Sequence, residues 1–211
     1  MKRKSDEILD RLEILFPNAG CELHFRNEFE LLCAVILSAQ TTDVSVNKVT
    51  PALFERYPDA ASMAFADPKE LEPYIRSIGL YRNKAQSLFG MAKSLVKNHG
   101  GSVPSSFEKL TALPGVGRKT ANVVSAEGFG IPALAVDTHV ERVSKRLGLV
   151  EPDASTEATE TVLKHKIKKD RWIKAHHLLI FFGRYLCKAR NPLCDECPFR
   201  EQCMYLKGKT K

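Results

Sequence analysis

Four cysteines, Cys187, Cys194, Cys197 and Cys203, follow one another as C-x6-C-x2-C-x5-C in this 211-residue chain. Thiolates so close in sequence repel one another unless a cation gathers them, and four soft sulfur donors suit a zinc ion or an iron–sulfur cluster. The preceding 186 residues hold only Cys21 and Cys33, so the grouping does not come from composition. Spacing leaves the metal open. Zinc sites favour two tight C-x2-4-C knuckles. This loop has one, Cys194-Asp195-Glu196-Cys197, and its wider gaps lean towards a cubane cluster. Metal ligation in place of disulfides also implies a reducing, intracellular compartment.

Almost everything before that loop reads as helix. Ile8, Leu9, Leu12, Leu15 and Phe16 recur at i, i+3, i+4 spacing until Pro17-Asn18-Ala19-Gly20 stops them. The apolar run 29–38 suits a central helix better than a buried strand, by its length and its Leu and Ala content. Helical patterns continue over 42–57, 67–77, 83–99, 106–113, 119–129, 139–148, 155–164 and 173–187. No segment alternates, so the expectation is an all-α chain without a sheet. A chain of this length buries one good core or two small ones. The expected division is a helical lobe over 21–131, with 1–20 and 132–211 forming the part that carries the cysteines. No apolar run reaches the ~18 residues a membrane span needs. Met1-Lys2-Arg3-Lys4 leads directly into Asp6, Glu7 and Asp10 rather than an apolar stretch, so no signal peptide is expected. A net charge of +7 and a pI of about 9.1 favour a polyanionic partner.

One turn indicates where such a partner binds. Leu113-Pro114-Gly115-Val116-Gly117-Arg118-Lys119-Thr120 lies between two helical patterns. Pro114 ends the first, while Gly115 and Gly117 permit a tight backbone and leave amides unshielded. The following helix then presents free N–H groups and its positive dipole end, a seat for a phosphate. By residues alone the segment is either a plain helix–helix corner or a DNA-backbone contact, and Arg118 and Lys119 favour the second. It lacks both G-x-x-x-x-G-K and a strand-borne G-x-G-x-x-G, which disfavours a nucleotide loop.

This segment resembles the helix-hairpin-helix of the DNA glycosylase superfamily, and the cysteine loop is similar to that of the endonuclease III family within it. The resemblance extends through Leu37-Ser38-Ala39-Gln40-Thr41-Thr42-Asp43, Ile78-Gly79-Leu80-Tyr81-Arg82-Asn83-Lys84-Ala85 and Ala135-Val136-Asp137-Thr138-His139-Val140. It implies two helical lobes with a DNA-binding cleft between them and a [4Fe–4S] cluster on Cys187, Cys194, Cys197 and Cys203. It also implies a bifunctional glycosylase and abasic-site lyase that excises oxidised pyrimidines from duplex DNA. Such an enzyme is expected as a monomer in a bacterial-type cytoplasm, at the nucleoid and off the membrane.

Lys119 falls in the first turn of its helix, an unusual place for a cation because the helix N-terminus already carries positive charge. The residue alone reads as an ordinary phosphate contact or a solvated lysine, the commoner fate of a single lysine, and the resemblance makes it the nucleophile. Asp137, Thr138 and Glu141 read as a capping box opening the next helix. The resemblance gives Asp137 a second role, steadying a cationic sugar and assisting proton transfer. Gln40 and Leu80 match the residues that fill and wedge the stack once a nucleotide is extruded. Taken alone, they read as a helix-end polar residue and a core leucine. Thr41, Asp43, Tyr81 and His139 fall near the pocket without assigned roles. Gly115, Gly117, Arg118, Lys188, Arg190 and Arg200 are the remaining candidate DNA contacts.

The basic tract 164–171 reads as a solvated face, and His176-His177 as a structural pair of which at most one points inward. Ser125-Ala126-Glu127-Gly128 departs from the more apolar helix usual in the family, and Gly128 costs about 1 kcal/mol of helix stability relative to Ala. Three other readings differ in what they require. An adenine-mismatch-type monofunctional glycosylase would carry a residue other than lysine at 119. A non-catalytic helix-hairpin-helix DNA-binding protein would not need both Lys119 and Asp137. A redox carrier would not need the hairpin.

Overall fold

The computed structural model describes residues 3–208 and contains no strand among them. Met1 and Lys2, part of the basic start noted above, lie outside the described residues. The chain forms two compact units. One is Glu22–Ile131; the other joins the segment up to Cys21, with α1 (Lys4–Leu15), to the chain from Pro132 onward.

The Glu22–Ile131 unit holds α2 (Glu28–Leu37), α3 (Asp43–Arg56), α4 (Ala60–Phe65), α5 (Pro68–Ile75), α6 (Tyr81–His99), α7 (Phe107–Thr111) and α8 (Arg118–Phe129). α2 is the central helix, buried along its length from Phe29 to Leu37 because it is apolar on every face. Its one buried charge, Glu30, is held by Arg26 at 2.5 Å. Most helix starts are set by side-chain caps, Asn27, Thr42, Asp59, Asp67 and Ser106 each accepting a first-turn N–H. That is why three of these helices begin one residue inside the patterned stretch. α4 has too few residues to show a period; the Asp59–Ser62 capping box starts it, and it packs against α6. Gly128 has a role the sequence did not reveal. A Cβ there would stand 3.1 Å from Leu31 Cδ2, so the glycine lets α8 close onto α2.

The other unit holds α1, α9 (Thr138–Arg146), α10 (Thr156–Lys166), α11 (Trp172–Phe181) and α12 (Met204–Lys207) around Leu9, Leu12, Val140, Val143, Leu178 and Phe182. Arg171 pins α1 to this core through Asp10 at 2.8 Å. The helix expected over 173–187 stops at Phe181 and widens into a π turn, Phe182–Leu186, closed by Cys187 N–H donating to Phe182 O at 2.7 Å. Gly183 explains the tight fit there, since a Cβ would lie 3.0 Å from His139 Cβ.

Two expectations need correction. His176 and His177 both point inward and are buried, with ring centroids 5.1 Å apart and His176 Nδ1 at 2.8 Å from Ala135 O. Adjacent side chains on a helix diverge by about 100°, and here packing covers both directions. The basic tract is not simply solvated either. Lys164 pairs with Glu160, Lys166 donates to Leu149 O, and Arg171 is committed to α1.

Candidate functional site

The hairpin sits on α6 at two small residues. Leu113 and Val116 point into the core, while Gly115 takes φ +76°, a conformation costly for any side chain. A Cβ at Gly115 would lie 2.7 Å from Ser87 Cβ, and one at Gly90 would lie 3.2 Å from Pro114 Cβ. Gly117 then serves as N-cap of α8 and supplies no side-chain cap. The first turn of α8 therefore has no side-chain cap, at the positive end of a twelve-residue helix, the kind of place where an anion can bind. Lys119 is exposed in that turn, and the Arg118 guanidinium lies 5.5 Å over the Phe107 ring.

Gln40 and Leu80 are in the same unit. Both are exposed, and both are non-glycine residues in the left-handed region, at φ +54° and +58°. Leu80 is 55% exposed, so it is not the core leucine its type suggests. Two residues held in such conformations cost about 1–2 kcal/mol each. Nothing in their residue types predicts this.

Asp137 belongs to the other unit. It is itself the N-cap of α9, one carboxylate oxygen accepting from His139 N and Val140 N, each at 2.9 Å. The other oxygen lies 3.2 Å from His139 Nδ1. Glu141 does not reach back to complete a capping box. It bonds Lys145 and Thr156, both at 2.7 Å, which holds its carboxyl below the ordinary value.

α9 also braces the cysteine loop, through two residues the sequence reading missed. Arg142 donates to Cys187 O at 3.2 Å and Gly183 O at 2.9 Å. Arg146 donates to Cys187 Sγ at 3.4 Å and Lys188 O at 2.9 Å, and lies 4.1 Å over the Tyr205 ring. Their i, i+4 spacing on the polar side of α9 was the available signal. Lys188 and Arg190 are exposed, whereas Arg200 is paired with Asp195.

Cys187, Cys194, Cys197 and Cys203 line one cavity together with Leu186, Pro192, Leu193, Tyr205, Leu206 and Arg146. Burial pushes the Cys197 thiol up, and the other three sulfurs add to the effect. Four thiolates in an apolar pocket are costly alone, so the donor set calls for a polycation. A single zinc would need sulfurs about 3.8 Å apart. Among the described residues, no three His, Cys, Asp or Glu side chains are close enough to hold one ion. Four cysteine sulfurs lining one apolar pocket are the donor set an iron–sulfur cubane requires.

Comparison with known proteins agrees with this reading. Residues 33–169 match the family described as HhH-GPD superfamily base excision DNA repair protein, and residues 187–203 match the iron-sulfur binding domain of endonuclease III. Endonuclease III of Bacillus subtilis (strain 168) is 51% identical over 195 residues, covering 92% of this chain and 89% of that one. Endonuclease III of Escherichia coli (strain K12) is 44% identical over 204 residues, covering 97% and 96%. A trapped endonuclease III–DNA covalent intermediate, an estranged-adenine complex, has the same fold, with a TM-score of 0.94, 50% identity and 100% of both chains covered. A thermostable thymine-DNA glycosylase, 24% identical with a TM-score of 0.84, shares the fold, covering 97% of each chain. With a helix-hairpin-helix module and a four-cysteine module matched in order, this chain belongs to the endonuclease III family of base excision DNA repair proteins, whose cofactor is a [4Fe–4S] cluster.

Proposed function

We propose that this chain is a bifunctional DNA glycosylase and abasic-site lyase that removes oxidised pyrimidines from duplex DNA, acting as a monomer at the nucleoid. One observation carries the reading. An exposed lysine, Lys119, stands in the side-chain-uncapped first turn of α8, beside a hairpin built to hold phosphate. A monofunctional adenine-mismatch enzyme would not place a lysine there.

The hairpin amides and Arg118 hold the DNA backbone, and Gln40 and Leu80 fill the gap left by an extruded nucleotide. The Lys119 amine attacks C1′ and the base leaves with the glycosidic electron pair. Loss of the amine's proton and opening of the sugar ring give a Schiff base, which acidifies the 2′ protons. Removal of one of them drives β-elimination, breaking the C3′–O bond on the 3′ side. Asp137 steadies the cationic sugar and assists proton transfer. Cys187, Cys194, Cys197 and Cys203 would hold the cluster, which would supply the cross-link that orders this loop. Lys188 and Arg190 then face phosphate from that loop. Among the described residues, no helix is long and apolar enough to cross a membrane.

Borohydride trapping and strand nicking on a thymine-glycol duplex test the proposal. The parent chain should form a covalent adduct, and Lys119→Ala should form none. Trapping by Lys119→Ala would overturn the assignment. A panel of oxidised pyrimidines, alkylated purines and A·G mismatches tests the lesion class, and preference for either of the last two would refute it.

A further inference from the structure

We infer that Lys84 is a positioning residue, a buried strut that ties the Gln40 loop to the Leu80 loop so that the two tips enter DNA as one rigid unit. The inference rests on the reading of Gln40 and Leu80 as the residues that enter the duplex. Lys84 lies in the first turn of α6 and is only 5% exposed, an uncommon state for a lysine. Its Nζ donates to Thr41 Oγ1 at 2.6 Å, across 43 residues of sequence. Its backbone N–H donates to Leu80 O at 3.0 Å. One residue therefore grips both loops.

The grip extends to the residues that need it. Thr41 Oγ1 donates in turn to Ala39 O at 3.4 Å, and Thr41 N–H donates to Ser38 O at 3.1 Å. These bonds bracket Gln40 on both sides. Gln40 and Leu80 each occupy the left-handed region, which relaxes to commoner conformations unless neighbours hold it. Burial lowers the Lys84 pKa, so the ammonium is kept in the core at a cost. That cost is offset where the charge strengthens the bond to Thr41. A surface lysine serving phosphate would have no reason to be buried. Lys84 touches neither base nor sugar in this scheme and acts only through Thr41 and Leu80.

The test follows 2-aminopurine placed opposite a thymine glycol, whose fluorescence rises when its partner is pulled from the stack. The whole chain is compared with Lys84→Met, Thr41→Val, their double variant, Thr41→Ser, Gln40→Ala and Leu80→Ala. Lys84→Met and Thr41→Val should each slow the rise by about tenfold, the scale of a lost charged hydrogen bond. The double variant should be no slower than either single one, and Thr41→Ser should recover the parent rate. The log–log salt slope of binding should stay unchanged throughout. A slope smaller by nearly one in Lys84→Met would make Lys84 a phosphate ligand and overturn the strut. If Gln40→Ala and Leu80→Ala slow the rise but Lys84→Met and Thr41→Val do not, the strut is wrong and the insertion reading stands. If neither tip variant slows it, the insertion reading fails and takes the strut with it. Should Lys84→Met fail to fold, the half-buried Thr41 variants decide the matter by the same comparison.

Discussion

Gly115→Ala should be among the costliest single-methyl additions in the hairpin, for two separable reasons. At φ +76°, an alanine is strained by about 1–2 kcal/mol. Its Cβ would also meet Ser87 Cβ at 2.7 Å and Oγ at 3.0 Å, an overlap that costs about 1–3 kcal/mol to relieve. The sum is about 2–5 kcal/mol. At about 2–4 °C per kcal/mol for a chain of this size, Tm should fall by roughly 4–20 °C. Ser87→Gly deletes both overlapping atoms and leaves only Cα, at 3.6 Å. Alone it costs about 0.5–1 kcal/mol as a glycine inside α6. In that background Gly115→Ala should cost only its backbone share, so the double-mutant cycle returns a coupling of about 1–3 kcal/mol. Thermal or urea unfolding of the four proteins measures it. An equal cost in both backgrounds would refute the seating of the turn on α6. So would a total cost below about 1 kcal/mol.

Asp137→Asn keeps an equally good N-cap, so stability should change by less than about 0.5 kcal/mol. Its single-turnover excision should nonetheless fall by about a hundredfold or more, and an unchanged rate would remove Asp137 from the chemistry. Arg146→Met loses the bonds to Cys187 Sγ and Lys188 O, so a ferrous chelator should strip iron several-fold faster while the far-ultraviolet helix signal stays intact. Equal release rates would deny Arg146 a bracing role. The Glu141 carboxyl is held below its ordinary 4.5 by Lys145 and Thr156. A depressed carboxyl stabilises the fold above that value and loses its contribution as pH falls through the folded-state value. Glu141→Gln should therefore be less stable by up to about 1 kcal/mol at pH 7 and equal to the parent near pH 3 in urea unfolding. A gap that persists in acid would show that charge is not the cause.

The chemistry of this chain is written locally, and for that reason much of it could be read from the sequence. Four cysteines within one loop define a donor set wherever the loop lies. A Pro-Gly-x-Gly turn before Arg118 and Lys119 defines a tight hairpin, the proposed phosphate seat, by local backbone geometry. Helix starts were legible to within a residue or two where an Asn, Thr, Asp or Ser caps a patterned stretch, because the cap is a contact within a few residues; the short α4, capped by Asp59, was not. Contacts between distant residues were not legible. Gly128 looked like a helix weakness until Leu31 was found against it. His176 and His177 could not both be assigned inward, because only the packing around α11 covers two directions at once. Arg142 and Arg146 drew no reading from the sequence, because only the π turn brings Cys187 and Gly183 under them. The left-handed backbone at Gln40 and Leu80 follows from no residue preference; long-range restraint imposes it, and Lys84 provides that restraint from α6. Sequence by itself determined the four-cysteine grouping, the hairpin turn and the helical class, because each depends on residues within a turn or two of one another. Only the tertiary structure decided which side chains hold those parts in place, because burial and long-range hydrogen bonds arise only once distant segments pack together.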